Sequence, residues 1–89
     1  IWRLPLLANL ESSIKSDVAD LKNVGDRFGG AITAALFLKQ FTENRAWIHL
    51  DIAGPARQDK STPTCQKGAS GFGVLAGLTY LQNLNRQQS

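Results

Sequence analysis

Cysteine is nearly absent from this chain of 89 residues, with Cys65 the only one. No internal disulfide can form, a reducing compartment is the simpler setting, and without a CxxC partner a zinc ribbon is excluded. No run of about 20 apolar residues occurs, so no membrane-spanning helix is expected. A secretory leader is not read at the start, because the apolar opening carries Arg3 and Pro5 and no small-residue cleavage pattern follows. Charge of one sign is also in short supply. Ten Lys and Arg stand against seven Asp and Glu, and the net +3 is spread without a cluster or a basic helix face, which argues against a nucleic-acid footprint. Internal repeats and low-complexity stretches are missing too, and Ile1 rather than Met stands first, so residues are expected ahead of it.

The length allows one domain at most. A hydrophobic fraction of 43% suits a globular protein, whereas 19% charged residues is low for a freestanding small domain. Ile1 to Leu7 is apolar but broken by Arg3 and Pro5, as in an extended segment. Asn9 is placed to cap a short helix through Ile14, with Glu11 in its first turn. Asp17 to Leu21 reads as a short strand or a turn leading to one, and Asn23 to Gly30 as a glycine-rich connection. Ala31 to Thr42 is the clearest helix, rich in Ala, Leu and Gln, with Lys39 near its C-terminal end. Its first eight residues are apolar almost all the way round, so it is expected to be covered on more than one side.

After a turn at Glu43–Arg45, the stretch Ala46 to Gly54 (AWIHLDIAG) reads as a buried strand over Trp47–Ala53. Alternation places Ile48, Leu50 and Ile52 on one face and Trp47, His49, Asp51 and Ala53 on the other. A helix between two strands predicts a right-handed βαβ unit. A polar loop with Pro55 and Pro63 follows from Gly54 to Gly68, then a helix from Phe72 to Leu84 and a tail that should fray. Two strands and three helices do not close a sheet. The fold class is therefore α/β, a partial βαβ-type fragment of a mixed-sheet α/β/α domain, with residues 1–89 an incomplete part of it.

His49 and Asp51 share a strand face, but a zinc site needs more converging ligands than these two, and a buried, hydrogen-bonded His–Asp pair is the preferred reading. Asp17, Asp20 and Asp26 lack calcium-loop spacing and read as caps and turns. Gly68-Ala69-Ser70-Gly71-Phe72-Gly73 leads into a helix as phosphate loops do. Its order is GxxGxG, no Lys-Ser/Thr pair follows and no strand directly precedes it, so a tight turn is preferred over nucleotide binding. Ser61 and Ser70 have no histidine at a suggestive position. The strand end Ala53-Gly54-Pro55-Ala56 nearly lacks side-chain bulk, and carboxyl ends of strands in open α/β sheets are where ligands sit.

In order, IWRLPL, KSDVADLKNVG, GGAITAALFLKQF, WIHLDIAGPA and KGASGFGV resemble the C-terminal part of the catalytic domain of the leucyl aminopeptidase family, the two-metal cytosol aminopeptidases. The likeness runs from Trp2 to about Leu84 and is greatest to bacterial members, with the cyanobacterial ones in view. It implies a cytoplasmic, two-domain subunit assembled as a homohexamer, acting on peptides with two divalent ions, zinc or manganese, that polarise the scissile carbonyl and activate water. The family's metal ligands, its NTDAEGR segment and its catalytic lysine lie upstream of IWRLPL, so no catalytic residue or metal ligand carries over to this chain.

What carries over is pocket lining. Ala53 and Ala56 match residues that line the pocket for the substrate's N-terminal side chain, and Val24 one that lines the leaving side of the scissile bond. The chain departs from the family at Arg57, where an aromatic residue is frequent, at Leu75, where arginine is frequent, and at Ser70, where threonine is common. The expected role is scaffold and pocket wall of an aminopeptidase, inactive alone and partnered by the rest of the catalytic domain. The alternative is a stand-alone binding module that reuses the same fold fragment.

Overall fold

The computed structural model describes residues 1–89, which form two compact units, Ile1–His49 and Leu50–Ser89. In the first unit a 3₁₀ helix, Ala8–Ile14, packs against α1, Gly30–Lys39. The 3₁₀ helix takes Leu7, not Asn9, as its N-cap, and no side chain caps it. Serine side chains here compete for the backbone: the Ser12 hydroxyl donates to the Asn9 carbonyl at 3.1 Å, a local bond of the kind that disfavours regular α-helix. Past Ile14 the chain turns about Ser16, whose hydroxyl oxygen accepts the N–H groups of Val18 and Ala19 at 3.2 and 3.1 Å. Asp17–Asp20 is thus a bend and not a strand. The Lys22 N–H then reaches back to the Ile14 carbonyl at 2.8 Å and closes the loop.

Helix α1 opens on Gly29, left-handed at φ 71°, whose carbonyl receives the N–H groups of Ile32 and Thr33. Its inner face carries Thr33, Ala35 and Leu36, which with Ile14 are the buried residues of the chain. Thr33 keeps its hydroxyl satisfied within the helix by donating to the Gly30 carbonyl at 3.3 Å. Cover is one-sided: Ala34, Leu38 and Phe41 are exposed, so the expected cover on further sides is not supplied within this unit. The helix ends at Lys39, short of Thr42, because the N–H groups of Gln40, Phe41 and Thr42 bond three residues back, to Phe37, Leu38 and Lys39, and Glu43 and Asn44 then adopt positive φ, 53° and 58°. Two left-handed residues in succession turn the chain away from the helix axis. The Arg45 N–H closes that turn on the Thr42 carbonyl, and Glu43 pairs with Arg45 at 2.9 Å in open solvent.

No strand forms over Trp47–Ala53, and the expected βαβ unit is not made. The Trp47 and His49 rings lie side by side, centroids 6.0 Å apart, as i and i+2 do on extended backbone. A strand, however, is defined by a neighbour to share its ladder, and none is offered. The stretch is correspondingly not buried: Ile48, Leu50 and Ile52 are 65%, 58% and 38% exposed.

In the second unit the only sheet is a two-stranded antiparallel pair, β1 (Arg57–Gln58) with β2 (Gly68–Ala69), in the register Arg57↔Ala69 and Gln58↔Gly68. It lies inside the stretch read as an irregular loop. The intervening residues are ordered by hydroxyls: the Thr62 oxygen accepts the Cys65 N–H at 3.1 Å, the Thr62 N–H donates to the Cys65 carbonyl at 2.8 Å, and the Lys67 N–H donates to Ser61 Oγ at 3.1 Å. Helix α2, Val74–Gln88, starts after Gly73 in the left-handed region and runs four residues beyond Leu84, so the tail expected to fray is helical almost to its end. None of its residues is buried, and Leu75, Leu78, Tyr80 and Leu81 are all more than half exposed. No helix is long and apolar enough to cross a membrane.

Candidate substrate-pocket residues

Ala53 and Ala56 stand at the two ends of one tight turn. Asp51 Oδ1 accepts the Ala53 N–H at 3.0 Å, and the Ala56 N–H donates to the Ile52 carbonyl at 2.9 Å, so the chain folds back on itself over Ala53-Gly54-Pro55-Ala56. An Asp that bonds the backbone two residues ahead is a standard device for starting such a turn. Asp51 therefore has a structural partner of its own, and His49, half-buried, has Trp47. The expected buried His–Asp pair is replaced by these two separate contacts, since Asp51 is exposed and the turn takes its oxygen.

The glycine-rich stretch braces the far end of this turn. The Ser70 N–H donates to the Ala56 carbonyl at 2.8 Å, its hydroxyl donates to the Pro55 carbonyl, and the same oxygen accepts the Phe72 N–H at 3.2 Å. Ser70 is thus a strut between the alanine turn and α2, and the tight-turn reading of Gly68–Gly73 has its physical basis. Threonine would keep that hydroxyl. What results is a short, hydrogen-bonded ledge carrying two methyl groups, a glycine and the Pro55 ring. Small side chains on a fixed ledge can do one chemical thing, which is to leave room for an apolar group.

Val24 belongs to the first unit, on the loop between the 3₁₀ helix and α1. It is 78% exposed although its neighbour Gly25 is half-buried. A branched apolar side chain held out from a seated loop is also suited to contacting a ligand. Sequence reasoning missed the seat: a Cβ on Gly25 would lie 3.3 Å from Ser13 Cβ and from both Thr33 Cβ and Cγ2. The signal that could have found it is the lone glycine between Val24 and Asp26, the composition of a close backbone approach.

A surface depression of about 330 Å³ is lined by Glu11, Lys39, Gln40, Glu43 and Asn44 and includes none of the three candidate residues. No histidine lines it. No group of three or more His, Cys, Asp or Glu side chains is gathered anywhere to hold a metal ion, so the residues present do not fit a two-metal site. Cys65 is a free thiol that donates to the Gln66 carbonyl at 3.5 Å.

Comparison with known proteins places these residues in context. The family described as cytosol aminopeptidase family, catalytic domain, matches residues 1–77. A probable cytosol aminopeptidase of Oleidesulfovibrio alaskensis is 62% identical over 74 residues, 82% of this chain and 14% of that protein. One of a Synechococcus species is 57% identical over 83% of this chain and 14% of its own length. That of Chlamydia abortus is 50% identical over 92% of this chain and 17% of its own length. The chain thus spans less than a fifth of the length of these three relatives, each of which is bacterial.

Proposed function

The chain belongs to the cytosol aminopeptidase family, and on that premise we propose that it is the C-terminal part of a catalytic domain that removes N-terminal amino acids from peptides in the cytoplasm. Its own contribution is scaffold and pocket wall. Ala53 and Ala56 line the pocket for the substrate's N-terminal side chain, and Val24 lines the leaving side of the scissile bond. In the family two divalent ions, zinc or manganese, supply the hydrolytic chemistry. Their ligands are not among these residues, so the chain by itself is inactive.

The observation that carries this reading is the braced alanine turn. Its backbone is held by hydrogen bonds to Asp51, Ile52 and Ser70, while its side chains are the exposed Ala53 methyl, the half-buried Ala56 methyl and the Pro55 ring. A turn needing only stability would tolerate larger residues; a turn that must stay small and stay put suits a wall against which a substrate side chain rests. Exposure supports the incomplete-domain part of the proposal. Three apolar residues of the whole chain are buried, and α2 buries none. The remainder of the catalytic domain, with a mixed sheet that takes in Trp47–Ala53 as a strand, would cover these surfaces. A homohexamer is the assembly expected of the complete subunit.

The test is substitution in the complete subunit. Ala53→Phe fills the space that a leucyl side chain needs. kcat/KM for leucine p-nitroanilide is expected to fall by about tenfold or more, with a smaller loss for alanine p-nitroanilide. Equal losses on both substrates would remove Ala53 from the pocket.

A further inference from the structure

We infer that Gly25, with Ser13 and Thr33 that seat it, positions Val24, so that the packing of the 3₁₀ helix on α1 sets selectivity for the residue on the leaving side of the scissile bond. This rests on the pocket role proposed for Val24. Three observations carry it. The backbone at Gly25 sits so close to both helices that an added Cβ would meet Ser13 Cβ, Thr33 Cβ and Thr33 Cγ2, each at 3.3 Å. Thr33 cannot yield easily, being 4% exposed with its hydroxyl held on the Gly30 carbonyl. The loop is also tied on both sides of Val24: the Lys22 N–H bonds the Ile14 carbonyl at 2.8 Å, and the Ser13 hydroxyl donates to Asp26 Oδ2 at 3.4 Å.

Between those ties Val24 is 78% exposed, a side chain presented and not packed. Its position is therefore decided by backbone, through the one residue that lets the loop lie flat. A methyl group at residue 25 requires the loop, or Thr33, to give by a few tenths of an ångström. A displacement at residue 25 carries Val24, its chain neighbour, with it. Apolar pockets tell apart substrates that differ by one methylene by about tenfold to 200-fold, so a shifted lining side chain is read as a changed ratio between substrates.

The experiment uses the complete subunit and leucyl dipeptides that differ only in the second residue, Leu-Gly and Leu-Leu. Val24→Ala comes first and tests the pocket role: the ratio of kcat/KM between the two dipeptides should shift by about tenfold. Gly25→Ala should shift the same ratio, chiefly through KM, while the ratio between Leu-Gly and Phe-Gly, which reads the N-terminal side chain, stays constant. Thr33→Ser, which removes Cγ2 and keeps the hydroxyl, should restore the ratio part way when added to Gly25→Ala. A purely structural role would lower all substrates alike and leave the ratios unmoved.

If Val24→Ala leaves the ratio unchanged, the pocket role falls and the positioning role with it. If Val24→Ala shifts the ratio and Gly25→Ala does not, the positioning role alone is overturned. Should Gly25→Ala fail to fold, Asp26→Ala frees one tie at the surface and is expected to shift the ratio by about threefold; an unchanged ratio there overturns the inference equally.

Discussion

The exposed face of α2 offers a test in which the two possible outcomes are far apart. Leu81 lies on that face and is 63% exposed. Full burial of a leucine side chain is worth about 1.5–3 kcal/mol, so with roughly a third of it covered the contacts made within this chain amount to about 0.5–1 kcal/mol. Alanine is the better helix former and returns a few tenths of that. If α2 stays uncovered in the complete subunit, Leu81→Ala therefore costs about 0.2–0.8 kcal/mol. If the rest of the catalytic domain covers α2, the same change removes a buried side chain and leaves a cavity, at about 2–5 kcal/mol. Leu36→Ala is the internal standard, because Leu36 is 1% exposed on α1 and should cost about 2–5 kcal/mol in either case. Urea unfolding of the complete subunit and the two variants, compared at their midpoints with slopes unchanged, measures both losses on one scale. A Leu81→Ala loss below about 1 kcal/mol beside a normal Leu36→Ala loss would refute the proposed cover over α2.

Two further outcomes are expected. The 89-residue chain alone, mixed with zinc or manganese, should release no p-nitroaniline from leucine p-nitroanilide; release that rises in proportion to chain concentration would show that catalytic groups are present after all. Gly77→Ala in the 89-residue chain should raise α2 helicity and stabilise the helix by about 0.5–1 kcal/mol, since glycine is a poor helix former and a Cβ there meets nothing within 4 Å. Far-UV circular dichroism against temperature measures this, and lower helicity in the variant would mean that Gly77 is needed for a close approach.

How legible each element was depended on how local its causes are. Helix α1 was readable because Ala and Leu favour a helix wherever they stand, and the last helix because its leucines recur at helical spacing. The error at α1's end has a local cause of another kind: the N–H groups of Gln40, Phe41 and Thr42 bond three residues back, a tightening that residue type does not announce. The strand over Trp47–Ala53 failed for the opposite reason. Its alternation is genuine and its rings sit as extended backbone requires, but a strand exists only with a neighbour, and a pattern within one segment says nothing about who the neighbour is. The short β1–β2 pair went unseen because two residues on each side are too few to make a pattern. Of the candidate site, small size at Ala53 and Ala56 was plain in the sequence, whereas the bonds from Asp51 and Ser70 that hold the turn were not.

Sequence alone determined the family, since five motifs in fixed order and spacing are specific whatever the chain's packing. It also determined that the candidate residues Val24, Ala53 and Ala56 are apolar and that the two alanines are small, because side-chain chemistry is set by residue type. Only the tertiary structure decided what holds them in place. The pairing of Asp51 with the Ala53 N–H instead of with His49, the strut at Ser70, and the seat of Gly25 between Ser13 and Thr33 all join groups by distance and direction. Those quantities follow from how the backbone is folded, and residue type by itself does not contain them.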